Sequence, residues 1–269
     1  MVQRYEVEQL RDACSMQQRW PDRLWVVRHG ESSGNVARDA AHAARLTHID
    51  IGGRDVDVPL SPLGEQQSAA LGRWFASMPE QQRPDIVLTS PYRRARQTAA
   101  LIHRAGGLAA DAVDLVQDER LREKEFGTLD RLTRHGIDQH HPDQAEFRRV
   151  LGKFYHRPPG GESWCDVILR LRSAVDSISL HHDGARVLIV AHQVVVLCFR
   201  YLLENMTEEQ ILAIDAEGDV ANCGITEYAF DPAHGRDGGL VLRQYNLVVP
   251  LQQQGAPVTA EPDLPVGAR

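Results

Sequence analysis

The densest apolar run in the chain is RVLIVA, residues 186–191, followed at once by His192 and then by a second apolar stretch, QVVVLCFRYLLE. The first has strand length and the second helix length, so the pair reads as a buried strand feeding a buried helix. RLWVV at 23–27 and DIVLTS at 85–90 have the same strand character, and VDLVQDE reads as a further strand running into a loop. Helical patterns lie between them. SPLGEQQSAALGRWFASM carries Ser61 as N-cap, Pro62 at the first helical position and Glu65 near the capping-box position. PYRRARQTAALIHRAGG opens on Pro91 and closes on Gly106-Gly107. ESWCDVILRLRSAVDSISL predicts an amphipathic helix and TEEQILAI a short one, while NCGITEYAF and GLVLRQYNLV predict two strands paired at a sheet edge.

Strands alternating with helices predict an α/β fold. The expected architecture is a three-layer sandwich with a mainly parallel central sheet flanked by helices. Residues 128–160 lack a strand pattern, hold several histidines and arginines, and end in RPPGG, which predicts an inserted helical cap. Residues 36–58 read as a long connection. The expected organisation is an N-terminal extension with some helical character at 1–22, one domain at 23–249, and a flexible tail rich in Pro, Gly and Gln at 250–269.

Composition narrows the function classes. A formal charge of −7 without a long basic run argues against general nucleic-acid binding. The four cysteines are scattered and form no C-x-x-C pair, which argues against a disulfide framework. The opening MVQRYEVEQLRD is too charged for a signal peptide, and no apolar run approaches a membrane span. A cytoplasmic protein is expected, with self-association left open.

In open α/β sheets, ligands sit at the carboxyl ends of the strands. Arg28 and His29 follow RLWVV, and His192 follows RVLIVA. Arg93, Arg94 and Arg96 follow DIVLTS, and Arg122, Glu123 and Glu125 follow VDLVQDE. Taken singly, each has a plainer reading: the RRAR run as a solvated helix face, Glu123 as part of an exposed charged run, Asn35 as a turn or cap residue. Together on one rim they suit phosphoryl transfer. Arginines grip phosphate oxygens, an imidazole held at one nitrogen attacks with the other, and a carboxylic acid protonates the leaving oxygen.

VVRHGESSGN resembles the signature of the histidine phosphatase superfamily, in its phosphoglycerate-mutase-like branch. PLSPLGEQQ, TSPYRRARQTA, LREKEFG, GGES, IVAHQVVV and NCGITEY follow in the family's order, so the resemblance spans roughly residues 23–248. It implies that His29 is transiently phosphorylated and that Arg28, Arg94 and His192 complete the phosphate pocket. Asn35 matches a phosphate-binding asparagine and Glu123 the proton donor, with Glu125 as the fallback. Gln193 stands where many members have glycine; the phosphatase domain of the bifunctional fructose-bisphosphate enzymes resembles this chain there.

The resemblance implies a metal-independent phosphomonoesterase acting on a phosphorylated small molecule, with no cofactor. A cofactor-dependent phosphoglycerate mutase would share the pocket and need a closed basic cap, for which Arg148, Arg149, Lys153 and Arg157 are available. A pseudophosphatase that binds phosphorylated partners is the non-enzymatic alternative. The cap charges suit either a substrate with extra anionic groups or a merely solvated lid.

Overall fold

The computed structural model describes residues 18–112, 115–235 and 237–260. Strand β1 (Arg23–Arg28) sits inside a six-stranded sheet among the described residues, with β2 (Ile86–Thr89), β3 (Val116–Gln117), β4 (Arg186–Ala191), β5 (Ile225–Asp231) and β6 (Gly239–Leu247) in the order β3-β2-β4-β1-β5-β6. The first four run parallel; β5 adds antiparallel to β1, and β6 adds antiparallel to β5 at the edge. The sheet is therefore mixed, with the parallel block expected and the C-terminal pair at the edge.

Alternation along the central strands makes three layers. Leu24 and Val26 of β1, with Val187 and Ile189 of β4, pack on one face against Trp164, Val167 and Leu171 of α6 (Trp164–His181) and against α7 (Gln193–Leu203). Trp25 and Val27, with Leu188 and Val190, pack on the other face against Leu71 and Phe75 of α2 (Pro62–Ala76) and Ala95, Ala99 and Ile102 of α3 (Arg93–Arg104). Successive residues of a strand point to opposite faces, so a strand buried on both sides reads as a continuous apolar run. Gly30 and Gly64 let the turn after β1 lie directly on α2. A Cβ on Gly30 would come within 2.5 Å of the Gly64 carbonyl oxygen and 2.7 Å of Ser68 Oγ.

Residues 36–58 differ from the expected long connection. Helix α1 (Ser33–Ala43) runs into it from a capping box between Ser32 and Asn35. The chain beyond it docks on the cap: Ile49 N–H donates to the Arg131 carbonyl at 2.8 Å and Thr133 N–H to the Thr47 carbonyl at 3.1 Å. The cap itself holds α4 (Arg134–His140) and α5 (Pro142–Tyr155), the latter kinked at Gly152, whose φ is 78°. After it, α8 (Glu208–Glu217) precedes β5.

The C-terminal segment also departs from expectation. The helical character expected for 1–22 lies mostly outside the described residues, as do residues 261–269. Residues 250–260, expected as flexible tail, are packed. Helix α9 (Val249–Gln253) buries Leu251 completely in the α2 layer. Gln67 Nε2 donates to Thr259 Oγ1 at 2.8 Å, Thr259 Oγ1 donates to Asn222 Oδ1 at 3.0 Å, and Asn222 Nδ2 donates to the His29 carbonyl at 3.1 Å. Polar composition hid this docking, because few apolar side chains anchor the segment and much of the rest is hydrogen bonding. Leu251→Ala is expected to destabilise the protein by about 2–4 kcal/mol in denaturant unfolding; a change under about 0.5 kcal/mol would return the segment to a loose tail.

Candidate active site

The register of β1 on β4 pairs Arg28 with Ala191, so His29 and His192 leave adjacent parallel strands at the same level. Their rings meet edge to face with centroids 5.1 Å apart. Both are buried, His192 completely.

His29 Nδ1 lies 2.7 Å from the Gly30 carbonyl oxygen, and its Nε2 lies 3.1 Å from Arg94 Nε. A carbonyl only accepts and a guanidinium only donates, so the proton sits on Nδ1 and Nε2 carries the lone pair. Burial, then the Arg94 and Arg28 charges, hold the imidazole well below its ordinary pKa. His29 is thus neutral, with its lone pair on Nε2.

His192 Nε2 lies 2.8 Å from Ser90 Oγ. Ser90 is placed by the backbone bond from its N–H to the Val190 carbonyl, 3.0 Å, which extends the β2–β4 ladder. Nδ1 of His192 has no hydrogen-bond partner among the described residues and lies 3.9 Å from Glu123 Oε2. Burial, then Arg94 and His29, push His192 well below its usual pKa. Burial pushes the Glu123 carboxyl up, against a hydrogen bond from Lys124 N–H and the positive charge of Arg94. An upward shift makes a carboxyl beside a neutral imidazole better suited to donate a proton.

Arg28, His29, Asn35, Arg94, Glu123 and Gln193 line one cavity of about 300 Å³. His192 packs behind it. Glu125 is separated from the group: it accepts from the Tyr92 hydroxyl at 3.1 Å and lines a neighbouring cavity. Asn35 also caps a helix, which its motif does not reveal. Its Oδ1 accepts from both Ser32 N–H and Ser32 Oγ, 2.8 Å each, which commits that oxygen to the cap of α1 and leaves Nδ2 as the donor for a ligand. Gln193 Nε2 donates to Asp219 Oδ1 at 2.5 Å, and Asp219 and Glu123 are the leading charges favouring protonated Arg28 against its burial.

Four further participants were not singled out from the sequence. Ser90 and Asn222 touch the histidines from strand ends, and both lie within the TSPYRRARQTA and NCGITEY motifs, which give a local signal for them. Lys124 directly follows Glu123 and is indistinguishable in sequence from the charged run around it. Asp55 has no signal. It reaches the site from the segment after α1, and its carboxylate takes Arg94 Nη1 and Nη2, 3.0 Å each, while its carbonyl accepts from Nη1 at 2.8 Å. The Arg94 fork therefore serves a carboxylate on one side and His29 on the other.

An incoming oxyanion competes with Asp55 for the same fork. Asp55→Asn is expected to tighten inorganic phosphate binding roughly tenfold, the size of one charge-assisted contact. Isothermal titration checks it, and weaker binding would mean that Asp55 instead holds Arg94 in place for the ligand.

Residues 24–238 match the family model for the histidine phosphatase superfamily (branch 1). A 2,3-bisphosphoglycerate-dependent phosphoglycerate mutase of Methylorubrum populi is 30% identical over 194 residues, covering 71% of this chain and 84% of that protein. A 6-phosphofructo-2-kinase/fructose-2,6-bisphosphatase of Aquarana catesbeiana is 31% identical over 191 residues, 70% of this chain. The chain spans only 34% of that Aquarana enzyme and 40% of a Schizosaccharomyces pombe relative named for fructose-2,6-bisphosphatase. Among solved structures, mycobacterial glucosyl-3-phosphoglycerate phosphatase superposes with a TM-score of 0.62 at 24% identity, over 84% of this chain and 99% of that one. The α-ribazole phosphatase of Shigella flexneri gives 0.65 at 21% identity, over 84% and 96%. These two likenesses establish the shared fold. With the family model covering most of its length, this chain belongs to the histidine phosphatase superfamily, branch 1.

Proposed function

We infer that this chain hydrolyses small phosphomonoesters through a phosphohistidine at His29. The observation that carries the reading is the His29 tautomer: Nδ1–H is held by the Gly30 carbonyl, and the Nε2 lone pair lies beside the buried Arg94. In the first step Nε2 forms the N–P bond as the ester P–O bond breaks, and Glu123 gives its proton to the departing alkoxide. In the second, water forms the new P–O bond, Glu123 takes its proton, and the N–P bond breaks to return neutral His29. Arg28 and Arg94 hold the non-bridging oxygens, with Asn35 Nδ2 as a neutral donor. His192 supplies Nδ1–H to the same oxygens when Nε2 accepts from Ser90. The backbone N–H groups at the start of α7 add to the anion field.

A mutase reading has one observation in its favour: the Methylorubrum populi relative is a phosphoglycerate mutase and is covered over most of its length. The two share every step to phosphohistidine and differ in what accepts the phosphoryl group. Phosphate release measured against isomerised phosphoglycerate separates them, and dominant isomerisation would favour the mutase.

His29→Ala is expected to lower kcat by at least about 10³-fold and to abolish an acid-labile phosphoryl label on the protein. Near-wild-type turnover in that variant would sink the mechanism. The raised Glu123 pKa sets the pH profile. The acid form is present below that pKa, so kcat/KM for alkyl phosphates should fall as pH rises through it. His29, depressed, stays unprotonated on the acid side. Glu123→Gln should lower kcat/KM about 10²-fold or more for alkyl esters and far less for p-nitrophenyl phosphate, whose leaving group needs no proton. Equal losses on both esters would remove Glu123 as the acid.

A further inference from the structure

The loop that carries His29 is held from behind by a closed ring of hydrogen bonds. Glu31 N–H donates to Gln67 Oε1 at 2.9 Å. Gln67 Nε2 donates to Thr259 Oγ1 at 2.8 Å and to the Pro257 carbonyl at 3.0 Å. Thr259 Oγ1 donates to Asn222 Oδ1 at 3.0 Å, and Asn222 Nδ2 donates to the His29 carbonyl at 3.1 Å. The ring leaves the loop at Glu31 and returns to it at His29. A backbone bond from Asn222 N–H to the Thr259 carbonyl, 2.9 Å, ties two of its members together again. Gln67 and Asn222 are completely buried. Thr259 stands in the segment after α9, beyond every motif on which the family resemblance rests.

The ring grips the peptide planes next to the imidazole. The 29–30 peptide unit has its carbonyl on Asn222 Nδ2 and its N–H, from Gly30, on Thr98 Oγ1 at 3.1 Å. The 30–31 unit has its N–H on Gln67 Oε1, and its carbonyl, from Gly30, faces His29 Nδ1 at 2.7 Å. That carbonyl holds the proton on Nδ1 and so leaves the lone pair on Nε2. The peptide plane sets its direction, and a glycine at the pivot has no side chain to restrain that plane. Donor and acceptor roles around the ring are forced. Gln67 Nε2 only donates, so Thr259 Oγ1 accepts from it and gives its one proton onward to Asn222 Oδ1. With Oδ1 engaged, the Asn222 amide presents Nδ2 to the His29 carbonyl. Without the Thr259 hydroxyl, Asn222 Oδ1 is buried with one donor fewer, and a flipped amide would set oxygen against oxygen at His29. All four bonds run in one sense around the ring, so each polarises the next.

We propose that Thr259 and Gln67 are positioning residues for phosphoryl transfer: through Asn222 and Glu31 they fix the two peptide planes that aim His29 Nε2 at the phosphorus. This rests on the reading of His29 as the nucleophile of a phosphomonoesterase. Gln67, Asn222 and Thr259 are not among the residues that line the cavity of His29. They therefore act on the direction of attack and leave the grip on the phosphate oxygens to Arg28 and Arg94. In-line displacement tolerates little misalignment of the attacking atom, so a small tilt of the imidazole costs rate without costing affinity. The packed C-terminal segment is in this way part of the apparatus that orients the nucleophile.

The test compares Thr259→Val, which keeps the shape and removes the hydroxyl, with Thr259→Ser, which restores it. Gln67→Met removes the amide at the other end of the ring, and Val258→Ala, on the exposed side of the same segment, is the control. Thr259→Val and Gln67→Met are each expected to slow single-turnover formation of phosphohistidine from p-nitrophenyl phosphate about tenfold or more. The Kd of inorganic phosphate, by titration calorimetry, should change less than about twofold, which separates aim from affinity. Thr259→Ser should recover most of the rate, and Val258→Ala should keep the wild-type value. Thermal unfolding shows that each variant is folded, and the two ends of the ring guard against loss of one. NMR of isotope-labelled histidine nitrogens reads the cause directly, with the His29 signals assigned by their absence in His29→Ala. Wild type should show a protonated Nδ1 and a bare Nε2, and Thr259→Val a shift towards exchange between the two tautomers. Wild-type rates in both Thr259→Val and Gln67→Met would overturn the proposal, whatever happened to stability. A slowed rate with unaltered His29 nitrogen signals, or one that Thr259→Ser does not recover, would overturn it too. The NMR readout needs no substrate: the expected tautomer and its loss in Thr259→Val, without turnover of any phosphate ester by wild type, would support the positioning role and overturn the phosphomonoesterase reading instead.

Discussion

The in-register pairing of β1 with β4 is the constraint on which the site depends. Parallel strands end on the same side of a sheet, and a shared register makes them end at the same height. His29 and His192 meet because Arg28 and Ala191 are partners. A slip by one residue would turn one imidazole to the opposite face. The alternating apolar residues of β1 and β4, packed against helices on both faces, fix that register. Core packing and active-site geometry are thus one requirement, met by the same strands.

Burial then does the chemical tuning. Two imidazoles, two guanidiniums and a carboxyl share a nearly dry space at the strand ends. Low polarity around them disfavours each ionised form in proportion to how poorly it is paired. The imidazoles respond by staying neutral and Glu123 by holding its proton more tightly. Both shifts run in the direction that the proposed nucleophile and general acid require. The guanidiniums of Arg28 and Arg94 are cations, so the pocket gathers positive charge although the chain is acidic.

Much of the periphery serves this centre. The C-terminal segment reaches His29 through Thr259 and Asn222, and the segment after α1 reaches Arg94 through Asp55. Neither Thr259 nor Asp55 has a sequence signature. Each joins residues far apart in the chain through single polar side chains, and polar composition alone makes both segments read as loose. Helix α1 is hidden for a related reason: the residues of its capping box also belong to the RHGESSGN motif, where small and polar residues look like a turn.

The sequence by itself determined the layer architecture and the identity of the residues on the rim. Strand and helix periods are local properties, and carboxyl-end placement comes from parallel connectivity. Arg28, His29 and His192 were therefore legible from their places just beyond apolar runs, while Arg94 among its neighbouring arginines and Glu123 beside Glu125 were singled out by the family resemblance. Only the tertiary structure decided how those residues are used. It chose Glu123 over Glu125 for the cavity by turning the latter towards Tyr92. It divided Asn35 between a helix cap and the pocket, set Arg149 outward against Glu146, and turned Lys124 and His156 towards the cavity of His29. Burial, tautomer and charge pairing depend on neighbours distant in the chain, and a linear pattern carries no record of them.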